Sequence, residues 1–159
     1  MEKILRTAVI GASGMVGQRF ITILKDHPWF KIGALAASAR SAGKSYGEAV
    51  EGRWLMKEPL PADIAAMTVL DASAAAKKIA ESVDFVFCAV DMKKDEVRVF
   101  EEMYARLECP VMSNNSAHRA TPDVPMIVPE INDHHAAVIE TQRKRLGTKR
   151  GFIAVKSNC

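Results

Sequence analysis

Residues 7–20, TAVIGASGMVGQRF, decide the fold of this chain. The stretch opens with a short apolar run that ends at Gly11, and apolar residues then recur at helical spacing up to about Lys25. Such a run suits a buried strand, glycine permits a sharp turn, and the helical spacing is typical of a helix with one apolar face. The segment therefore predicts a strand, a tight turn and a helix.

The glycines at 11, 14 and 17 form the pattern G-x-x-G-x-x-G between the predicted strand and helix. Glycine lets a backbone come close to a pyrophosphate, whose charge meets free N–H groups and the positive end of the helix dipole. The spacing departs from the commonest dinucleotide fingerprint, so a tight connection without a ligand remains the alternative. We expect the cofactor contacts in this turn to come from Gly11, Ser13, Gly14, Met15, Val16 and Gly17.

The remaining sequence continues the alternation of strand and helix. Further strands are predicted at 32–37, 68–70, 84–90, 111–113, 125–128 and 151–156. Further helices are predicted at 72–81, between Asp91 as the capping residue and Pro110, and at 133–146. Apolar strands without alternation are typical of a sheet covered on both faces. The sequence predicts an α/β fold, a Rossmann-like, doubly wound, mostly parallel sheet with helices on both faces.

Composition favours one globular domain with a small-molecule partner. The chain has 159 residues, 48% hydrophobic and 26% charged, and its net charge is only +3. That balance argues against a nucleic-acid or membrane partner, and the basic stretch at 143–150 is interpreted as a solvated surface. No secretory signal is evident, which favours the cytoplasm. Three cysteines without a C-x-x-C pair, and histidines without ligand spacing, predict neither disulfides nor a metal site.

The end of the second predicted strand indicates which dinucleotide binds. NAD-binding domains usually place an acidic residue there to accept hydrogen bonds from the ribose. Here residues 36–41 read AASARS and contain no carboxylate. Arg40, with the hydroxyls of Ser38 and Ser41, would instead hold a 2′-phosphate through charge-assisted hydrogen bonds. The sequence therefore predicts NADP as the cofactor, and residues 1–159 as an NADP-binding domain.

Five segments carry a resemblance to a known family. They are GASGMVGQRF at 11–20, SARSAGK at 38–44, SNNSAHR at 113–119, DVPMIVPEIN at 123–132 and GFIAVKSNC at 151–159. Together, and in this order, they resemble the aspartate-semialdehyde dehydrogenases of the archaeal and fungal type. The malonyl-CoA reductases resemble the same branch and stay an alternative, as does a noncatalytic NADP-binding module.

The resemblance implies a reaction and a set of site residues. In the family, aspartyl phosphate is reduced to aspartate semialdehyde with release of phosphate, on the route to lysine, threonine and methionine. Cys159 matches the cysteine that attacks the acyl phosphate and carries the thioester. Arg119 matches an arginine that binds the substrate. We expect Asn115 and Asn158 to bind the substrate as well, since Asn158 matches the family's residue before the cysteine. Ser113 and Asn114 match a segment near the cofactor, although turn chemistry would also explain them.

The sequence departs from the family where it stops. Family members continue well beyond the cysteine into a second domain, which supplies an acid–base histidine, further substrate contacts, the subunit interface of a homo-oligomer and a returning helix. None of the four histidines here matches the catalytic one. We therefore expect the second domain to be absent from this chain, and the isolated chain to be inactive.

Overall fold

A computed structural model describes residues 4–158 of the chain. Its sheet has seven strands in the order β3-β2-β1-β4-β5-β7-β6, and every pair of neighbouring strands is parallel. The strands are β1 (Leu5–Ile10), β2 (Phe30–Ala37), β3 (Val69–Asp71), β4 (Phe85–Cys88), β5 (Val111–Ser113), β6 (Met126–Ile127) and β7 (Ile153–Lys156). The predicted parallel α/β sheet is confirmed.

Seven α-helices and one 3₁₀ helix connect these strands within the described part of the chain. The α-helices are α1 (Met15–Leu24), α2 (Tyr46–Ala49), α3 (Ala62–Ala65), α4 (Ala76–Ser82), α5 (Lys94–Arg106), α6 (Pro129–Asn132) and α7 (Ile139–Leu146). The 3₁₀ helix covers Asp133–Val138. No helix in residues 4–158 is long and apolar enough to cross a membrane.

The strand order places a crevice at the carboxyl end of β1. The chain runs from β1 outward through β2 to β3, and then returns to the other side of β1 to form β4. At such a reversal the connections leave on opposite faces of the sheet, and a crevice opens outside the strand ends. The glycine turn after β1 lies at this crevice.

Two apolar cores lie on the two faces of the sheet. One face packs against α1, α2 and α3, through residues such as Val9, Leu35 and Ile21. The other face packs against α4, α5 and α7, through residues such as Ile10 and Val86 of the sheet and Tyr104 of α5. The prediction of helices on both faces is confirmed.

The face that carries α1 is covered only in part. Over β4, β5 and β7, the apolar side chains of Phe87, Met112 and Phe152 are half-buried and line two neighbouring grooves. Phe20 of α1 stacks on Phe87 with ring centroids 4.8 Å apart, and marks where the helical cover ends. We call the surface formed by Phe87, Met112 and Phe152 the open apolar face.

Local details differ from the sequence predictions at two helices. Asp91 does not cap α5, because the helix begins at Lys94 and the Glu96 carboxylate accepts the backbone N–H of Lys93 instead. The helix predicted at 133–146 begins as the 3₁₀ segment and becomes α-helical only at Ile139. A 3₁₀ turn at a helix end is a common way to tighten the first turn.

The carboxylate of Glu108 should make the stability of the domain depend on pH. Backbone hydrogen bonds from Arg150, Gly151 and Lys149 lower the pKa of Glu108 and fix the loop before β7. A lowered folded-state pKa stabilises the fold above the unfolded pKa of about 4.3, and this contribution is lost as pH falls through the folded value.

We therefore expect Glu108→Gln to lower the thermal unfolding midpoint at neutral pH, with the difference from wild type shrinking below about pH 4. Circular dichroism melts over this pH range measure it. Glu81→Gln is the control, because Glu81 makes only an exposed ion pair with Lys77. A difference for Glu108→Gln that stays constant with pH would contradict this role.

Candidate functional site

The glycine turn brings three backbone segments together. Gly11 has a φ of +80°, and a Cβ there would lie well inside 3.0 Å of the Ala89 carbonyl oxygen after β4. A Cβ on Gly17 would likewise overlap the carbonyl oxygen of Gly11 and the backbone of Ala12. These two glycines are therefore required by the protein's own packing, because any side chain would push β4 or α1 away from the turn.

Gly14 differs from the other two glycines. A Cβ built on it would meet only the Gly11 carbonyl oxygen, at an ordinary contact distance of 3.5 Å, and the residue is exposed. Its φ of −78° is open to any amino acid. Glycine is favourable at this capping position, but no packing contact requires it, so the bare backbone is available for the close approach of a ligand.

The start of α1 presents free amide groups at this turn. Gly14 is the capping residue, but no side chain caps the helix, and the first turn holds no acidic residue. The amides of Met15, Val16 and Gly17 have no acceptor among residues 4–158. Unpaired N–H groups and the helix dipole together favour an anion at this position.

A cleft of about 660 Å³ opens beside the turn. Its walls come from the ends of β1, β2, β3 and β4, so it lies at the crevice described above. Five of the predicted cofactor residues line it, namely Gly11, Ser13, Gly14, Ser38 and Arg40. The structure also adds residues that sequence reasoning missed, namely Arg53, Asp71, Ser73 and Asp91.

Arg40 is one of the residues that line this cleft. Its side chain is exposed, and it makes no hydrogen bond or ion pair with any residue that the structure describes. Asp71, the last residue of β3, lies on the strand next to β2, since Ala37 pairs with it. Its Oδ1, however, already accepts the backbone N–H groups of Ser73 and Ala74 at 2.8 and 2.7 Å. The free guanidinium of Arg40 is thus suited to a phosphate.

Other predicted cofactor residues lie outside the walls of the cleft. Ser41 is buried, and its backbone N–H donates to the Ser38 carbonyl at 2.9 Å, which closes the turn that carries Arg40. The side chains of Met15 and Val16 do not line the cleft, so their possible contribution is the backbone amide alone. Ser113 and Asn114 line the neighbouring apolar groove over β5 and β7.

A second group of predicted residues meets at the end of β7. The Arg119 guanidinium donates to the Lys156 carbonyl and to Asn158 Oδ1, both at 3.3 Å, and to the Asn114 carbonyl at 3.4 Å. Arg119 therefore lies against the residues that precede Cys159. Cys159 itself lies outside the described residues.

A buried carboxylate that the sequence did not reveal holds the loop after β5. Glu101 on α5 is fully buried, and its Oε1 accepts from Ser113 Oγ at 2.5 Å and from Asn115 Nδ2 at 2.9 Å. One signal for it exists in the sequence, because Glu101 falls on the apolar stripe of α5 between Val97 and Tyr104. An acid at such a position has to find partners inside the protein.

Cys88 and Cys109, which are both buried, are poor candidates for chemistry. Burial, together with the negative charge of Glu101, raises the pKa of the Cys88 thiol well above its usual value. Burial also raises the pKa of Cys109 to about 12. Both remain neutral thiols in the core, as the sequence suggested. Residues 4–158 contain no group of three histidine, cysteine or acidic side chains that would hold a metal ion.

Comparison with known protein families identifies the domain. Residues 6–139 match the family described as "Semialdehyde dehydrogenase, NAD binding domain". The chain belongs to this family. The predicted family and the α/β fold class are therefore confirmed for the semialdehyde dehydrogenase domain.

Individual relatives extend this assignment. The chain is 43% identical over 154 residues to an aspartate-semialdehyde dehydrogenase of Archaeoglobus fulgidus, covering 95% of this chain and 41% of that protein. It is 37% identical over 159 residues to a malonyl-CoA reductase (NADP) of Metallosphaera sedula, covering all of this chain and 42% of that protein. This semialdehyde dehydrogenase domain thus spans less than half the length of these relatives.

A solved structure gives the same picture. The aspartate-semialdehyde dehydrogenase of Candida albicans, crystallised with NADP, superposes with a TM-score of 0.85 at 37% identity. The match covers 99% of this chain and 43% of that one. The fold of the semialdehyde dehydrogenase domain is therefore shared with an enzyme that was crystallised with the dinucleotide.

Alanine substitutions should distinguish the glycine that folding requires, Gly17, from the glycine assigned to ligand binding, Gly14. We expect Gly17→Ala to destabilise the domain by about 1–3 kcal/mol, because its Cβ overlaps the turn backbone. Gly14→Ala should cost less than about 1 kcal/mol, since its Cβ has room. Urea unfolding of the two variants beside wild type measures this, and equal losses would contradict the assignment of Gly14 to a ligand.

Proposed function

We propose that this chain is the NADP-binding domain of an aspartate-semialdehyde dehydrogenase. The observation that carries the proposal is Arg40, which lines the cleft beside the glycine turn and has no partner among residues 4–158, while the end of β2 lacks a carboxylate. An unpaired arginine at this position suits the 2′-phosphate of NADP, whereas an acidic residue would suit the ribose hydroxyls of NAD.

The residues of the cleft fit the cofactor. Gly14 leaves space for the pyrophosphate, and the amides of Met15, Val16 and Gly17 supply donors for its oxygens. Arg40, with Ser38 beside it, would hold the 2′-phosphate, while Ser41 keeps their turn closed. The bound cofactor would exchange a hydride with the acyl carbon of the substrate. Asn114 and Ser113, in the adjoining groove, are proposed to line the path between cofactor and substrate.

Substrate chemistry in this proposal centres on Cys159 and Arg119. The Cys159 thiolate would attack the acyl carbon of aspartyl phosphate, phosphate would leave, and a thioester would remain on the sulfur. Arg119 would bind an anionic group of the substrate, because its planar guanidinium suits a carboxylate or phosphate. Its contact with Asn158 supports this role, since it places the charge beside the residue that precedes the cysteine.

We propose that Asn115 also contacts the substrate. Its Nδ2 is taken by Glu101, at 2.9 Å, and also approaches Cys88 Sγ at 3.6 Å. Its amide oxygen has no partner among residues 4–158 and would accept a hydrogen bond from the substrate. Asn158 is exposed and would help to orient the oxyanion of the tetrahedral intermediate.

The complete enzyme would require a second domain. We propose that this domain supplies the acid–base histidine and the contacts of a homo-oligomer, as in the family that the sequence resembles. Its returning helix would cover the open apolar face at Phe87, Met112 and Phe152. The nearly apolar character of this face supports the proposal, because exposed patches of this kind usually mark an interface.

Malonyl-CoA reduction is the second candidate function. The relative from Metallosphaera sedula is a malonyl-CoA reductase (NADP), and its identity to this chain, at 37%, approaches that of the aspartate-semialdehyde dehydrogenases. Both reactions would use the same cofactor cleft and a cysteine thioester, so the substrate alone separates them. A noncatalytic NADP-binding module would bind the nucleotide and form no thioester.

Dinucleotide affinity tests the cofactor proposal. We expect the isolated chain to bind NADP more tightly than NAD, and Arg40→Met to weaken NADP binding about tenfold or more without changing NAD binding. Isothermal titration of each variant with both dinucleotides measures this. Arg19→Met is the matched control, since it removes an exposed positive charge outside the cleft. Equal affinity of wild type for NADP and NAD would refute the proposal.

Turnover in the complete enzyme tests the reaction. We expect the chain joined to a second domain from its family to form NADPH from aspartate semialdehyde, phosphate and NADP, and the isolated chain to form none. Cys159→Ser should reduce the rate by at least about 10³-fold, because a hydroxyl is a far weaker nucleophile than a thiolate. Absorbance at the NADPH maximum follows the reaction. Oxidation of NADPH with malonyl-CoA, but not turnover of aspartate semialdehyde, would instead establish the second candidate.

A further inference from the structure

We propose that Arg53 is a second arginine that binds the adenosine 2′-phosphate and so sets the preference for NADP over NAD. This inference rests on the proposed NADP-binding function and adds a residue that lies outside the motifs. Arg53 is 39 residues beyond Gly14 in the chain, yet both line the same cleft, together with Arg40.

Arg53 is held in place by the first turn of α1. Gln18, which is almost completely buried, donates from Nε2 to the Arg53 carbonyl at 2.9 Å and to the Ser13 carbonyl at 3.2 Å. Its Oε1 accepts the backbone N–H of Leu55 at 2.8 Å. One buried side chain therefore ties the glycine turn to the segment that carries Arg53.

The guanidinium of Arg53 is oriented by a hydrogen bond that uses only one of its nitrogens. One of its terminal nitrogens, Nη2, donates to the Ala49 carbonyl at the end of α2. Its Nε and Nη1 have no partner among the described residues, and no acidic side chain pairs with it there. An arginine that is fixed by one hydrogen bond can use its remaining N–H donors to bind an anion.

The position of Arg53 favours the 2′-phosphate over the pyrophosphate. Helix α2 docks on the side of the turn that faces β2, because Tyr46 Oη donates to the Ala12 carbonyl at 2.7 Å. Tyr46 also belongs to the same buried apolar cluster as Leu35 and Ala37 of β2. Arg40 follows β2 on that same side. Asp91 follows β4, on the opposite side of β1.

Charge also supports a pair of arginines. A phosphate monoester carries a charge of about −1.5 to −2 at neutral pH, so a single arginine leaves it only partly neutralised. Arg40 and Arg53 together would balance it. Asp71 and Asp91 also line the cleft, but among the described residues neither forms an ion pair with Arg40 or Arg53, and Asp71 Oδ1 already accepts two backbone N–H groups. Both arginines therefore keep their charge for a dianion.

The test uses two small probes with the isolated chain. Adenosine 2′,5′-bisphosphate carries the 2′-phosphate, and AMP lacks it. We expect Arg53→Met to weaken binding of the bisphosphate about tenfold or more, and binding of AMP by less than about twofold. Arg19→Met is the control for the loss of one positive charge, and thermal melts confirm that each variant is folded. Arg53→Gln decides in place of Arg53→Met if the latter does not fold.

The outcomes separate this inference from the function on which it rests. An equal loss of affinity for both probes would place Arg53 at the 5′-phosphate. Unchanged affinity for both would show that Arg53 does not contact the nucleotide. Either result overturns the inference and leaves the NADP proposal standing. Wild type that binds both probes equally would overturn the NADP proposal, and the inference with it.

Discussion

The close approach of backbone at Gly11 and Gly17 is the constraint on which the rest of the domain depends. With no side chain at these positions, the end of β1, the start of α1 and the residue after β4 lie against one another. That contact aims the free amides of α1 out of the sheet edge and places β2 and β4 on either side of them. The cleft is a consequence of this packing, because its walls are the strand ends that the turn holds together.

The same sheet is built unequally on its two faces. The face with α4, α5 and α7 is closed by large buried side chains such as Phe100 and Tyr104. On the other face, α1 covers the sheet only as far as Phe87. Beyond it, the strands expose the open apolar grooves. An aromatic side chain left half-buried forgoes part of the roughly 1.5–3 kcal/mol that full burial contributes. The domain therefore gains stability from any segment that covers this face.

The sequence predicted those parts of the molecule that local patterns encode. Buried parallel strands are short apolar runs, and the glycine turn has its own spacing, so β1 to β7 and α1 appeared near their observed places. Helix α2 was not predicted, although its signal was present: Ser45 and Glu48 form a capping box, S-x-x-E, in which each caps the backbone of the other. Asp91 was wrongly predicted as the cap for the opposite reason. This favourable capping residue lies two positions before Lys93, whose backbone N–H donates to the Glu96 carboxylate.

Site residues were predictable only where they belong to a motif. Arg40 could be inferred because it follows β2 directly, in the place where dinucleotide domains select their cofactor. Arg53 and Glu101 could not, since each reaches its partners through contacts that exist only in the folded chain. No pattern of spacing relates Gln18 to Arg53, or Glu101 to Asn115.

The distribution of acids around the cleft gives the proposed NADP preference its physical basis. A domain that selects NAD uses a carboxylate at the end of β2, where it would repel a 2′-phosphate. Here the corresponding acid, Asp71, stands one strand further out, at the end of β3, and pairs with Ala37 in the sheet. In the turn before α4, the backbone N–H groups of Ser73 and Ala74 donate hydrogen bonds to one of its oxygens. These hydrogen bonds partly compensate the negative charge of Asp71. The electrostatic potential at the end of β2 is therefore set mainly by the arginines.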